Sequence, residues 1–445
     1  MSFVIPIPQP AREIIGTLTE HGFDAYIVGG CVRDSLLKKE PKDWDITTSA
    51  KPEQVKALFR RTVDTGLKHG TVTVMIGKEG YEVTTYRIDG EYKDHRRPEK
   101  VEFTTDLRED LRRRDFTINA MAYHPDKGVI DCFSGLADLE KGVIRCVGSP
   151  YERFEEDALR MLRAVRFAAQ LNFTIEEQTK AAIKEKAETL KDISAERIQV
   201  ELTKLITSSY PELLFTAYEL GITKVVLPEF DTCMGCPQHN PHHCYNVGAH
   251  LVKSMQAIEN TPVYRWTMLL HDIAKPLCLS TDEEGVDHFY THCNKGEEMA
   301  VEILRRLKFD NDTIKRVSRL VKHHDYECPL TEKSIRKMAF KIGPDLFLDL
   351  LKVQEADTLA KAAWVIESAL KEIEEKRRLF LEVEKKEQCL SLKELKMTGK
   401  DLIAMGIKPG KEMGVILNEL LLEVLETPEK NNYEYLSSQV KRRTM

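Results

Sequence analysis

The sequence predicts an α+β protein, with a mixed sheet and helices over the first ~145 residues and helices alone thereafter. Two observations carry this expectation. TVTVMIG (71–77) and YEVTTYRI (81–88) alternate apolar and polar residues around Lys-Glu-Gly, a hairpin signal. From Ser149 on, EEDALRMLRAVRFAAQLNF (155–173) and SAERIQVELTKLITSS (194–209) carry apolar residues at helical spacing.

In chain order, residues 11–21 show helical periodicity, and AYIVGG (25–30) reads as a buried strand ending in a turn. A helix resumes at 32–38, and WDITTS (44–49) is a short β-branched strand. The hairpin follows, and then TYRIDGEYKDHRRPEKVEF (85–103), a charged surface loop containing Arg96, Arg97 and Pro98. Composition shifts near residue 148 and again at DTCMGCPQHNPHHC (231–244), which opens a histidine-rich stretch. EIEEKRRLFLEVEKKEQ (372–388) reads as a solvated linking helix. Four regions result: 1–147, 148–230, 231–370 and 371–445.

At 445 residues the chain exceeds one ordinary core. No run approaches the ~20 apolar residues of a membrane span, and the N-terminus lacks a secretory pattern. Ten scattered cysteines suit a reducing cytoplasm. The net charge of −6 argues against nucleic-acid binding over the whole surface, though not against local patches.

The chemistry concentrates first in GGCVRDSLLKKEPKDWDITT (29–48). Asp43 and Asp45 are two apart, so a strand would project both carboxylates from one face. Mg²⁺ is the natural occupant of such a pair, because it takes oxygen ligands and leaves room for phosphates. Glu82 is a candidate third acid from a neighbouring strand. Gly29 and Gly30 end a strand before a helix, where backbone N–H groups approach a phosphate. Arg33 adds a fork of donors, unless it pairs with Asp34. Arg112–Arg114 form a basic cluster before an apolar helix, with Asp115 as its expected cap. Asp157 and Arg160 share a helix face, which allows either a local salt bridge or a site.

GGCVRDSLL…KDWDITTSA resembles the signature of the tRNA nucleotidyltransferase and bacterial poly(A) polymerase family, within the polymerase β-like nucleotidyltransferases. The resemblance implies a nucleotidyltransferase head at 1–147 and a helical neck at 148–230 bearing a nucleotide-selecting helix. An HD domain at 231–370 and an RNA-binding body and tail at 371–445 would follow. It also implies Mg²⁺-dependent transfer of a nucleotide from an NTP to an RNA 3′ hydroxyl. Asp43 and Asp45 match the metal-binding acids, with Glu82 as a further catalytic acid. Gly29, Gly30, Arg33 and Asp34 match the opening motif. Arg114, Asp115 and Asn119 match the RRDFTxNA segment, and Arg163 joins the nucleotide-binding set. Asp157 and Arg160 match EDxxR, whose acid and guanidinium present acceptor and donor edges to the incoming base in place of a template. Arg197 and Glu201 would support that pocket. The implied partners are tRNA, CTP and ATP, with no membrane, and the 85–103 loop favours full CCA addition. The alternatives are a poly(A) polymerase or A-adding enzyme, and an HD hydrolase with an RNA-binding head. A purely RNA-binding module is disfavoured by the intact acids.

His250, His271, Asp272 and Asp357 resemble the H…HD…D pattern of HD phosphohydrolases, which implies a second divalent metal. His292 and His323 are further positions of that kind. Cys233 and Cys236 tempt a zinc reading, but no second CxxC accompanies them, and zinc is rejected there. Gly406, Gly410 and Gly414 punctuate a helix–turn–helix near Lys408 and Lys411, and KRRTM reads as a disordered basic tail.

Overall fold

The structure, a computed structural model, describes residues 4–90, 101–386 and 388–444. The part of the charged loop holding Arg96, Arg97 and Pro98 lies outside the described residues. The chain divides into two compact units, Met1–Pro228 and Glu229–Met445.

The first unit is built on seven strands, among them β1 (Ala25–Val28), β2 (Ile46–Thr48), β3 (Thr62–Gly66), β4 (Thr71–Ile76) and β5 (Glu79–Thr85). A side ribbon of β6 (Arg87–Asp89) and β7 (Val101–Phe103) precedes the last two, β8 (Met121–His124) and β9 (Gly128–Asp131). The spatial order of the main sheet is β3-β4-β5-β2-β1-β8-β9. β2 is central: it runs antiparallel to β1 and parallel to β5, with Ile46 opposite Ile27 and Val83. All four β1 side chains are buried, as a run of apolar residues in a strand covered on both faces requires.

Helix Gln9–Glu20 buries Ile14, Ile15 and Leu18, the apolar positions of one helical face. Helix Leu159–Leu171 buries ten of its thirteen residues, so it is a core element rather than a surface one. Each large apolar side chain buried this way contributes about 1.5–3 kcal/mol.

The second unit is helical apart from one small ribbon, Ser280–Thr281 with Asp287–His288, among the described residues. Helix Ala363–Lys385 runs unbroken across positions 370–371. It is not a fully solvated rod: Ile373, Leu379, Phe380 and Val383 are buried, and Phe380 stacks on Phe347 with ring centres 4.2 Å apart. The tail also departs from expectation. Helix Tyr433–Thr444 includes Lys441–Arg443, and Arg443 pairs with Glu419 and Glu423 at 2.9 Å each. A basic run acquires helical order when acids on a neighbouring helix match it.

Candidate active site

Asp43 and Asp45 lie just before β2 rather than on it, but the extended path continues, because Val28 N–H donates to the Asp45 carbonyl. Their period-2 spacing therefore still applies. Asp43, Asp45 and Glu82 line one cavity of about 770 Å³, together with Lys42, Trp44 and Tyr81. The Asp45 carboxyl is lifted above its ordinary range. Desolvation by the surrounding protein is the main cause; Arg114 partly offsets it, and Glu82 and Asp43 add repulsion. A group of acids under that strain is a fit environment for a divalent cation.

Gly29 is held at φ +84°, a left-handed conformation that glycine tolerates without strain. Its N–H is taken by the Met121 carbonyl, and a Cβ here would stand 2.9 Å from Arg114 Nη1. The missing side chain thus lets Arg114 lie against the turn, near Asp45. Arg33 is buried and its fork is occupied. It donates to Asp34 through Nε (2.9 Å) and to Asn119 through Nη1 (2.5 Å). The pairing with Asp34 is the simpler of the two readings of Arg33, and it is what the structure contains.

Asp115 does not cap the following turn, whose N-cap is Phe116 with no side-chain capping bond. Its carboxylate accepts from the Phe116 and Asn119 nitrogens and from Arg163 at 2.9 and 2.6 Å. Burial alone would raise its pKa, but the Arg163 guanidinium outweighs burial and holds it below the usual carboxylate range. Arg163 in turn lies 3.6 Å from Glu201, which pairs with Arg166 at 2.5 Å. A continuous polar chain therefore joins Asp34, Arg33, Asn119, Asp115, Arg163, Glu201 and Arg166. Arg33, Arg163 and Arg166 all approach the ring of Phe167, at 5.0, 5.3 and 3.6 Å from its centre.

Asp157 and Arg160 do not share one helix. Asp157 has extended backbone after helix Pro150–Glu156, and Arg160 lies in the first turn of the next helix. Asp157 accepts from Arg197, while Arg160 donates to Glu156 (2.5 Å) and to the Arg153 and Arg113 carbonyls. Asp110 was not singled out in the sequence. Fully buried, it accepts from Thr47 on β2, the Arg87 N–H and Arg113, and lies 3.7 Å from Arg114. Burial would raise its pKa, yet Arg113 and Arg114 hold it down. Its place three and four residues before those arginines was the available signal.

In the second unit, ligand atoms of His250, His271, Asp272 and Asp357 meet within 4.8 Å of one another. All four residues are buried. Burial would raise both carboxyls, but Lys275 beside Asp272 and Lys361 beside Asp357 keep them ionised. A second group joins His292, Cys293 and His324. The histidine taking part is thus His324 and not His323, which lines a different cleft with Lys322 and Lys341. Cys233 and Cys236 direct their thiols at the Ile273 and Pro237 carbonyls, and burial pushes both thiols up.

Residues 25–145 match the family profile of the Poly A polymerase head domain. Residues 172–234 match an RNA and SrmB-binding site of polymerase A, and 278–440 match tRNA nucleotidyltransferase domain 2. These matches define the class, a nucleotidyltransferase head followed by helical segments. The chain is 38% identical to the CCA-adding enzyme of Pediococcus pentosaceus over 95% of each chain. Against that of Enterococcus faecalis it is 36% identical over 98% of this chain and 96% of the other. The chain belongs to the CCA-adding enzyme family. Its fold is similar to that of the Bacillus stearothermophilus CCA-adding enzyme in complex with CTP: the TM-score is 0.71 with 29% identity, covering 98% of this chain and 99% of that one. No helix among the described residues is long and apolar enough to cross a membrane.

Proposed function

We propose that this chain adds CMP and AMP from CTP and ATP to the 3′ end of tRNA, building or repairing the CCA terminus without a nucleic-acid template. The observation that carries this reading is the convergence of Asp43, Asp45 and Glu82 on one cavity, with Arg114 near Asp45. Relatives named CCA-adding enzyme along nearly the whole chain support the choice of substrate.

Asp43 and Asp45 would hold Mg²⁺, for which an all-oxygen ligand set is suited. When bound, such an ion makes a hydroxyl a better nucleophile and offsets charge on the reacting phosphates. Arg114 and the Gly29–Gly30 turn meet the triphosphate, and Arg33 braces the turn through Asp34 and Asn119. Asp157 keeps lone pairs for an exocyclic amine, which cytosine and adenine both carry. Arg160 donates to the base by leaving Glu156. Arg163 and Asp115 fix the helix that carries Arg160. A cytoplasmic location is part of the proposal, in keeping with ten free cysteines.

The test offers the purified chain tRNAs ending before CCA, at C and at CC, with each NTP separately. Stepwise addition of C, C and A supports the reading; A addition alone, or long A tails, selects an A-adding or poly(A) enzyme instead. Asp43→Ala should lower incorporation by about a thousandfold while tRNA binding persists.

The buried His250, His271, Asp272 and Asp357 group favours a second activity, metal-dependent phosphoester hydrolysis by an HD domain. Activity on 2′ or 2′,3′-cyclic phosphates that vanishes in His271→Ala supports it. No turnover by the wild-type protein removes it.

A further inference from the structure

Helix Asn311–His323 of the second unit carries a row of cations on one face. Lys315, Arg319 and Lys322 stand at i, i+4 and i+7, positions that adjoin one another along a helix surface. With His323, Lys341 and Glu297 they line a cleft of about 460 Å³. Lys341 comes from the last turn of helix Glu332–Ile342, and Glu297 from helix His292–Arg306. Attraction to a helix C-terminus accounts for Lys322 and Lys341, each in a last turn. It does not account for Lys315 and Arg319, which lie earlier.

The acids do not balance this charge. Glu297 pairs with Lys322 at 2.5 Å. Arg319 reaches only the Lys341 carbonyl, at 3.4 Å, and Lys341 rests over the Tyr326 ring, 4.2 Å from its centre. Among the described residues no carboxylate comes within ion-pairing distance of Lys315, Arg319 or Lys341. His323 supplies an independent sign. It is only 5% exposed and its ring stands edge-on to Tyr326, yet among the described residues neither ring nitrogen has a hydrogen-bond partner. Buried polar groups are ordinarily satisfied, so a ring left bare at the wall of a cleft is suited to something that enters.

We propose that this cleft binds a short polyphosphate chain, free or carried on a nucleoside. Cations around a concave wall concentrate their field on whatever occupies it, and the Arg319 fork matches phosphate oxygens. The His323 ring offers an N–H in either of its neutral forms. From Lys315 to Lys322 the helix advances only about 10 Å, a span suited to a few linked phosphates. A volume of about 460 Å³ falls in the ~300–1,000 Å³ range of small-molecule sites. A terminal phosphate can point inward at His323, whereas a phosphate within an RNA strand carries a sugar on either side and lies along a surface. The site is separate from the nucleotide transfer proposed above.

Inorganic tripolyphosphate is the probe, titrated calorimetrically into the full chain with and without tRNA. Arg319→Ala and Lys315→Ala, both changes at the rim, should each weaken its binding about tenfold. His323→Gln should weaken it too, and C and A incorporation should be unchanged in all three. Lys253→Ala removes an equal charge from an exposed residue bonded to Gln256, outside the cleft lining, and should have no effect. Tripolyphosphate binding unchanged in Arg319→Ala and Lys315→Ala overturns the proposal, as does an equal loss in Lys253→Ala. Loss of tRNA affinity with tripolyphosphate binding intact also overturns it and gives the cations to RNA.

Discussion

Asp157 Oδ2 accepts a hydrogen bond from Arg197 Nη2 at 2.7 Å, across forty positions of sequence. Its supposed partner Arg160 is engaged with Glu156 instead. The acid and the guanidinium of the EDxxR segment are thus positioned independently. Arg197→Ala should loosen Asp157 and reduce the preference for CTP and ATP over UTP and GTP about tenfold, or ~1.4 kcal/mol in relative kcat/KM. Incorporation kinetics with each NTP check this; an unchanged ratio would show that Asp157 does not select the base.

Gly29→Ala places a methyl group 2.9 Å from Arg114 Nη1 at a left-handed backbone position. The expected cost is about 1–2 kcal/mol in stability from backbone strain. Displacement of Arg114 should also raise the KM for NTP. Gly30→Ala is the control, because its Cβ meets only Arg33 Nη2 at 3.7 Å, an ordinary contact. Equal effects from both variants would separate Arg114 from nucleotide binding.

Asp115→Asn removes the charge that Arg163 faces. Because Arg163 keeps Glu201 nearby and is partly solvated, the loss should be about 2 kcal/mol, below the range for fully buried pairs. The folded-state pKa of Asp115 is depressed, so its contribution is complete above the unfolded value of about 4. It fades as pH falls through the folded value. Urea unfolding of the two proteins should show a constant gap at neutral pH that narrows only in strong acid.

Arg336 is buried and donates to the Leu425 and Glu426 carbonyls and to Gln388, tying helix Glu332–Ile342 to the end of helix Lys411–Glu426. Arg336→Met should cost about 3 kcal/mol, because the carbonyls it serves lose a charged donor. The measurement is urea unfolding of the full chain, followed by a probe in the second unit.

The sequence made the sheet legible where one residue pattern dominated. AYIV followed by Gly-Gly admitted little but a buried strand and a turn, and strand periodicity predicted that Asp43 and Asp45 share a face. It could not reveal that Asp110 is reached by Thr47 and by the Arg87 N–H, since those contacts arise only when the strands assemble. Spacing misled at Asp157 and Arg160, where a helix break falls between two residues that seemed to share a face. His324 was recoverable: Val317, Leu320, Val321 and His324 follow one helical stripe, and His323 lies about 100° off it.

Phe167 contributes no polar atom, yet three guanidiniums from two separate motifs rest around its ring, and Phe116 packs edge-on against it. It acts as a shared bearing for the segment proposed to grip phosphate and the helix proposed to read the base. A change of its shape reaches both at once, so altered nucleotide choice and altered triphosphate affinity would be inherited together from this one apolar residue.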